Sequence, residues 1–268
     1  MNAPGVDLDL VRGLEERCLN AWPALRTLAV DGWIVRLSDG HTRRANSATP
    51  LYRSAGPLGA RIDLVEAVFR AAGLTPVVRV TPLAGADVAP ELARRGWAED
   101  DPSGGFFAPA PPPVWSARTK ARLRLDDRLS EDWLAPRCAV MATASAARPA
   151  LRRMLPLIAL PHVYATLLLD EAPVAFGLAV AERGMVGLYD LVVDPAARGQ
   201  GLGRALVEAL WRWGVARGAG AAYLQVRVSN VAARALYASL GLREVYRYVQ
   251  LVAPDVSIGR DRGDARSP

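Results

Sequence analysis

Three glycines in one short turn could bind an anion. Gly199, Gly201 and Gly203 alternate with other residues between Arg198 and Arg204, directly after an apolar stretch typical of a strand. Apolar residues recur at helical spacing from this turn onwards, so the glycines lie at the start of an amphipathic helix. The first N–H groups of a helix have no partner within it, and the helix dipole favours negative charge there. The segment therefore predicts a site for a phosphorylated ligand.

Two common nucleotide-binding patterns do not fit this turn. A P-loop places four residues between its glycines and continues with Gly-Lys-Ser/Thr, and no such lysine follows here. A dinucleotide fingerprint reads Gly-x-Gly-x-x-Gly, whereas this turn reads Gly-x-Gly-x-Gly and no evident acidic residue ends a second strand. Spacing alone leaves two alternatives: a glycine-rich turn without a ligand, and the pattern Gln/Arg-x-x-Gly-x-Gly/Ala.

A second motif follows this helix. The run Tyr223–Val228 is rich in β-formers, Asn230 stands at an N-cap position, and a short helix ends before Gly241. The residues of this motif are Asn230, Ala233, Leu236, Tyr237 and Gly241, followed by Leu242. With the glycine turn, this motif resembles the GNAT superfamily of N-acyltransferases, apart from Leu242, where the family has an aromatic residue. The C-terminal half is identified as a member on these two motifs.

The resemblance implies a fold, a cofactor and roles for particular residues. The fold would be of the α/β (α+β) class, with a mixed, mostly antiparallel, twisted sheet flanked by helices, and the cofactor would be acetyl-CoA. By the resemblance, the backbone of Leu191, Val192 and Val193 pairs with the pantetheine arm, Asn230 touches that arm, and Tyr237 is the general acid that protonates the leaving thiolate. The pyrophosphate would be bound by Arg198, Gly199, Gln200, Gly201, Leu202, Gly203 and Arg204. No metal is expected.

The general base is where this sequence departs from the family. In the branch that acetylates N-terminal amines, a glutamate stands five residues before the position of Asn230, and here that position is Gln225, which cannot take up a proton. Asp190 interrupts an apolar run, where a polar side chain must face a cleft or find a partner. We therefore expect Asp190 to be either the base or a structural hydrogen-bonding residue.

Other titratable groups are weaker candidates. His162 and Glu182 could replace Asp190 as base, and water relays are a further alternative. His41 is expected to be a solvated turn residue in the N-terminal half. The same segment carries residues that either face a substrate across a domain interface or are ordinary hairpin polar residues: Arg43, Arg44 and Asn46.

Composition predicts four segments. The stretch Asp101–Pro113 is rich in proline and glycine, as linkers are, and the last residues are polar. We predict a degenerate GNAT-like domain over 1–100, a linker over 101–115, a catalytic domain over 116–254 and a disordered tail over 255–268. Within the catalytic domain we expect a first strand over 117–125. The i, i+4 series Arg204, Glu208 and Arg212 predicts a solvated helix face.

The N-terminal half repeats part of the C-terminal pattern. Val78–Thr81 aligns with Val226–Ser229, and Leu92–Glu99 aligns with Tyr237–Glu244. The repeat predicts a duplicated domain, as in bacterial tandem GNAT proteins. The first copy has no glycine motif, and Pro82 and Leu92 replace the asparagine and the tyrosine. We therefore expect no acetyl-CoA binding there in the family manner.

Charge and cysteine content limit the classes of partner. The net charge is +6 at pH 7, yet the arginines are dispersed and Lys120 is the sole lysine, so we expect no nucleic-acid partner. No stretch is long and apolar enough for a membrane span, Cys18 and Cys138 are expected to be buried free thiols, and the location is expected to be cytoplasmic. The oligomeric state stays open. The predicted function is acetyl-CoA-dependent N-acetylation of an unidentified primary amine; the alternative is a non-catalytic acyl-CoA-binding regulator.

Overall fold

The structure, a computed structural model, describes residues 5–100, 102–143 and 147–254. The predicted tail at 255–268 lies outside these residues. The helices are α1 (Leu8–Ala21), α2 (Leu58–Ala71), α3 (Val88–Arg94), α4 (Glu131–Val140), α5 (Arg148–Met154), α6 (Leu202–Val215) and α7 (Val231–Ser239). The strands are β1 (Arg26–Val30), β2 (Trp33–Leu37), β3 (Ala48–Pro50), β4 (Val77–Val80), β5 (Ala98–Glu99), β6 (Ser103–Ala108), β7 (Arg122–Asp126), β8 (His162–Leu169), β9 (Ala172–Glu182), β10 (Met185–Val193), β11 (Ala221–Arg227) and β12 (Arg243–Val252).

The two halves of the chain have the same topology. In the first half β1, β2 and β3 are antiparallel neighbours, and α2 connects β3 to the parallel strand β4. In the second half β8, β9 and β10 are antiparallel neighbours, and α6 connects β10 to the parallel strand β11. The repeat seen in the sequence is thus a repeat of the fold, and the predicted mixed, mostly antiparallel sheet is confirmed.

The last strand of each half completes the sheet of the other half. Strand β6, from the first half, pairs with β11, and strand β12, from the second half, pairs with β4. Because β6 and β12 also pair with each other, all the strands form one sheet in the order β1-β2-β3-β4-β12-β6-β11-β10-β9-β8-β7, with β5 beside β12. Backbone hydrogen bonds between strands therefore join the two halves into one sheet.

This exchange corrects the predicted linker at 101–115. Residues 103–108 form β6, a mostly buried strand in the middle of the sheet. Its glycines, which suggested a flexible connection, serve packing instead, because the ring of Tyr246 occupies the space above Gly105. The predicted first strand at 117–125 is also corrected: β7 begins only at Arg122.

Gly105 is a position where close packing allows no side chain. A Cβ on Gly105 would overlap the ring of Tyr246, whose hydroxyl is bonded to Glu15 and Gln225. We expect Gly105→Ala to lower the free energy of unfolding by about 1–3 kcal/mol, because the bonded tyrosine must move. Gly220→Ala is the matched control, since a Cβ there meets nothing within 4 Å. Denaturant titration of both variants checks this, and equal midpoints would contradict it.

Helices cover both faces of the C-terminal part of the sheet. Helices α6 and α7 pack on one face, where Leu206 and Leu210 lie in one core with Leu188 and Leu224. Helices α1, α4 and α5 pack on the other face, in a second core that contains Tyr189. The predicted solvated face of α6 is corrected at Glu208, which is buried and accepts hydrogen bonds from the backbone of residues 116 and 117. Cys18 and Cys138 are buried free thiols, as predicted.

Candidate functional site

Strands β10 and β11 open a cleft in the sheet. They pair only from Met185 to Leu188 on β10, and then diverge. Strand β10 stays paired with β9 beyond a bulge between Tyr189 and Val192, while β11 stays paired with β6 as far as Arg227. Among the described residues, no strand pairs with the cleft-facing edge of β10 from the bulge to Val193, whose carbonyl accepts from Arg198 Nε at 3.3 Å. The predicted pantetheine-binding residues Leu191, Val192 and Val193 lie on this edge and are half-buried.

The glycine turn follows β10 and presents unpaired amides. Gly201 is the N-cap of α6 with φ 76°, and Gly199 has φ 78°, a left-handed conformation that favours glycine. Within the described residues, the amides from 199 to 204 donate no backbone hydrogen bond, because they precede α6 or belong to its first turn. A Cβ on Gly199 would meet nothing within 4 Å, so the turn is open to a ligand.

The predicted residues around this turn divide into anchors and donors. The Leu202 side chain is buried in the core and fixes the start of α6, while Gln200 and Arg198 are exposed. Arg204 extends to the neighbouring helix, where its Nη2 donates to Ser239 Oγ at 2.6 Å. An anion bound here would meet several amides, the positive end of a 14-residue helix and nearby arginines. These groups fit a pyrophosphate such as that of CoA.

Helix α7 brings Tyr237 to the same face of the sheet. A Cβ on Gly203 would stand 3.3 Å from Leu236, so α7 packs against the start of α6. The Tyr237 ring lies edge-on to Phe106 with centroids 6.4 Å apart. Its hydroxyl has no hydrogen-bond partner among the described residues, and burial raises the pKa of Tyr237 to about 12. It therefore keeps its proton at neutral pH and is able to donate it.

Asn230 begins α7 as the sequence predicts. Its Oδ1 accepts a hydrogen bond from the Ala233 amide at 3.2 Å, which satisfies one free donor of the helix. The side chain is exposed beside the end of β11, and its amide group is not needed for the cap. Asn230 thus combines a structural role with a free donor near the cleft.

Asp190 lies in the bulge of β10 and is paired with an arginine. It adopts φ 52°, and its Oδ1 accepts from Arg137 Nη2 of α4 at 2.7 Å. Its Oδ2 is buried and has no partner among the described residues. Because Oδ1 is already held by the Arg137 guanidinium, this ion pair favours the structural alternative over the role of base.

Gln225 lies on β11 under helix α1. Its Nε2 donates to Glu15 Oε1 at 3.0 Å and to the Tyr246 hydroxyl at 2.9 Å. Glu15 is buried and forms a two-bonded ion pair with Arg79 of β4. A carboxylate thus lies beside the position where the family has its glutamate, but it comes from the first half and is occupied. Glu15 is not among the site residues predicted from the sequence; its place on the apolar face of the amphipathic helix α1 is the signal that points to it.

The other titratable residues considered as the base have different surroundings. His162 Nδ1 lies 2.8 Å from the Leu160 carbonyl at the start of β8, and Glu182 is bonded to Asn20 and paired with Arg183. His41, predicted to be a solvated turn residue, is instead half-buried, and its Nε2 is buried without a partner in the described residues. The expectation for His41 is therefore wrong.

The polar residues beside His41 have structural partners. Asn46 is buried and its side chain bonds the backbone of Ser38, His41 and Thr42. Arg44 lies over the rings of Trp22 and Tyr189, and Arg43 pairs with Asp100. These contacts connect the segment 38–46 to the rest of the molecule.

Comparisons with known proteins agree with this geometry. Residues 127–242 match the model of the acetyltransferase (GNAT) family, and residues 9–94 match that of the C-terminal part of the probable histone acetyltransferase Rv0428c. A solved tandem GNAT protein from the clavulanic acid biosynthesis pathway covers 94% of this chain and 89% of its own with a TM-score of 0.64, at 15% identity. The fold is a tandem GNAT fold. Residues 127–242, in the C-terminal half, form a domain of the acetyltransferase (GNAT) family.

Two curated relatives are informative. Probable histone acetyltransferase Rv0428c of Mycobacterium tuberculosis is 29% identical over 248 residues, which are 87% of this chain and 70% of the relative. The ribosomal protein bS18-alanine N-acetyltransferase of Escherichia coli K12 is 44% identical over 70 residues, 26% of this chain. The matched residues cover 47% of the length of this relative. The chain spans about half the length of the other curated relatives that match first.

Membrane-spanning helices and metal-binding groups are both absent from the described residues. No helix in ranges 5–100, 102–143 and 147–254 is both long and apolar enough to cross a bilayer. In the same part of the chain, no group of His, Cys, Asp and Glu side chains has the arrangement of a metal site.

Proposed function

We propose that the chain is an acetyl-CoA-dependent N-acetyltransferase that moves the acetyl group to a primary amine of a small molecule or protein by direct attack. The observation that carries the proposal is one open cleft with three matching features around it. These are the unpaired amides of 199–204, the free edge of β10 over Leu191–Val193, and the free hydroxyl of Tyr237. Together they suit a phosphorylated thioester.

Each group has a chemical task in this proposal. Acetyl-CoA, when bound, supplies an activated acetyl thioester. The turn amides and Arg198 hold the pyrophosphate, and Asn230 and the edge of β10 hold the pantetheine arm. An amide of that edge polarises the thioester carbonyl in the manner of an oxyanion hole. Tyr237, with its pKa of about 12, remains protonated and donates to the leaving sulfur.

The acceptor is a primary amine whose identity the residues do not define. The names of the relatives suggest two protein amines to test, an N-terminal alanine and a histone lysine. The arginines are dispersed rather than clustered, which argues against nucleic acid or an anionic membrane as partner. A cytoplasmic location is part of the same proposal.

One observation favours a second candidate function. Gln225 replaces the glutamate of the family, and its amide is already bonded to Glu15. A chain without that base could bind acyl-CoA as a non-catalytic regulator. The free hydroxyl of Tyr237 is the feature that favours catalysis over this alternative.

Release of free thiol from acetyl-CoA tests the proposal. The amines are an N-terminal alanine peptide, a lysine-containing peptide and spermidine, each with the full chain. We expect turnover with at least one, and Tyr237→Phe to lower kcat by about 100-fold at unchanged CoA affinity, because the departing thiolate loses its proton donor. Tyr52→Phe is the control, since Tyr52 is exposed and its hydroxyl bonds only Glu16 among the described residues. Binding of CoA without turnover of any amine would favour the regulator.

A further inference from the structure

Three buried polar atoms without a hydrogen-bond partner among the described residues belong to side chains that interact electrostatically. They are Nε2 of His41, Nε of Arg137 and Oδ2 of Asp190. Buried polar atoms are paired in the great majority of cases, so a set of three suggests a site for water or a ligand. They come from the segment 38–46 of the first half, from α4 and from the bulge of β10. The segment 38–46 of the first half also contacts β10 of the second, where Arg44 lies over the Tyr189 ring.

The backbone that carries His41 is held in place. Asn46 Nδ2 donates to the carbonyls of His41 and Thr42, each at 2.8 Å, and Thr42 Oγ1 accepts from Trp22 Nε1 at 3.3 Å. On the same segment, Asp39 Oδ2 accepts from Arg153 of the α5 helix at 2.7 Å. A histidine fixed from several sides in this way is suited to a defined role.

The charged groups that act on the imidazole come from two packed elements. They are Arg137 of α4 and Asp190 of β10, which are joined by their 2.7 Å ion pair. Arg43 and Arg44 on its own segment are engaged by Asp100 and by aromatic rings, respectively. Burial first, and then the charge of Arg137, lower the pKa of His41 from its ordinary value, while Asp190 acts in the opposite direction. The imidazole is therefore neutral at pH 7, the form that can accept a proton.

We propose that His41 is the catalytic base of the transfer and that Asp190 is its positioning residue. The inference rests on the proposed acetyltransferase function. In this arrangement Nε2–H of His41 donates to the free Oδ2 of Asp190 across one water. Nδ1, which has no hydrogen-bond partner among the described residues, then accepts the proton of the amine. A carboxylate that holds an imidazole in one tautomer is a recurrent device of acid–base catalysis.

The proton balance of the step is complete. The amine nitrogen bonds to the thioester carbon, its proton passes to Nδ1 of His41, and the C–S bond breaks. The sulfur receives the proton of Tyr237. His41 then returns a proton to solvent and Tyr237 regains one. The first half, which has no glycine turn of its own, would in this way complete the active site of the second half.

The sequence offers a clean test because it has only two histidines. We compare His41→Gln with the control His162→Gln in the full chain, measuring kcat/KM against pH with the best amine of the panel above. His41→Gln should lower kcat/KM at pH 7 by about 100-fold. It should also remove the part of the pH profile in which deprotonation of His41 raises kcat/KM below about pH 6.5. The affinity for CoA should not change. The part of the pH profile that reflects deprotonation of the amine substrate should remain. His162→Gln should stay within about twofold of the wild type.

A second readout does not depend on turnover. In an NMR titration, Asp190→Asn should lower the pKa of His41 further, because the replaced carboxylate opposes the lowering. The wild-type imidazole should carry its proton on Nε2. The inference would be overturned if His41→Gln kept full activity with an unchanged pH profile of kcat/KM. It would also be overturned if Asp190→Asn did not change the pKa of His41. A wild-type chain that turns over no amine would instead overturn the proposed function, and the base role with it.

Discussion

Replacing Arg79 by Met is expected to lower the free energy of unfolding by about 3–5 kcal/mol, because it leaves a buried charge without its partner. Arg79 and Glu15 are 4% and 1% exposed and are joined by hydrogen bonds of 2.7 and 2.8 Å. Arg79 also stacks on Tyr248 with its charge centre 3.3 Å from the ring centroid. The pair connects α1 and β4 of the first half to β11 and β12 of the second.

The same substitution should reverse the pH dependence that Glu15 contributes. Burial alone would raise the pKa of Glu15, but Arg79 and the Tyr246 hydroxyl outweigh it, so the net pKa lies below its ordinary value. In the wild type, Glu15 therefore stabilises the fold above its unfolded pKa, and this contribution is lost as pH falls through the lowered value. In Arg79→Met burial dominates, and the pKa of Glu15 rises. The loss in free energy of unfolding relative to the wild type should therefore be larger at pH 7 than at pH 4.

Urea unfolding of three variants checks this result. Arg94→Met is the control, because Arg94 forms an exposed pair with Glu91 and should change stability by less than about 0.5 kcal/mol. The double variant Glu15→Met with Arg79→Met should recover much of the loss, since no unpaired charge remains. A loss below about 1 kcal/mol for Arg79→Met alone would contradict the assignment.

Replacing Gly201 by Val is expected to weaken CoA binding by about 1000-fold. Gly201 has φ 76°, which a β-branched residue adopts only with strain, so the turn must change its conformation. The amides of 202–204 then no longer converge on one anion. Each hydrogen bond to a charged group contributes about 1.5–3 kcal/mol, and the loss of two corresponds to about three orders of magnitude in Kd.

Gly218→Val is a matched control at the other end of the same helix. Gly218 has φ 83°, and a Cβ there meets nothing within 4 Å. The substitution carries a similar backbone strain but leaves the N-terminal amides of α6 unchanged. Calorimetric titration with CoA should give a near-normal Kd for Gly218→Val and a greatly raised one for Gly201→Val. Equal affinities would show that the turn does not hold the ligand.

The sequence predicted what short, local patterns define. The glycine turn, the start of α6 and the cap at Asn230 depend on neighbouring residues, and the structure has each of them where the spacing predicts. Strand β10 (Met185–Val193) lies where the apolar stretch before the glycine turn predicts a strand. The duplicated topology followed from repeated helix–strand order.

Features that depend on distant pairing could not be predicted. Strand β6 was interpreted as a linker because its glycines and the prolines after it suggest flexibility, whereas partners far away in the sequence, β11 and β12, order it. Glu15 and His41 lie in the first half, so no local pattern relates them to a cleft formed by β10 and β11. Their burial arises only when the two halves share one sheet.

The most direct test of the central claim is a crystal structure of the full chain with CoA. We predict pyrophosphate oxygens about 2.9 Å from the amides of 199–204, the pantetheine arm along Leu191–Val193, and the sulfur next to the Tyr237 hydroxyl. CoA bound elsewhere on the molecule, with those amides still unpaired, would contradict the account.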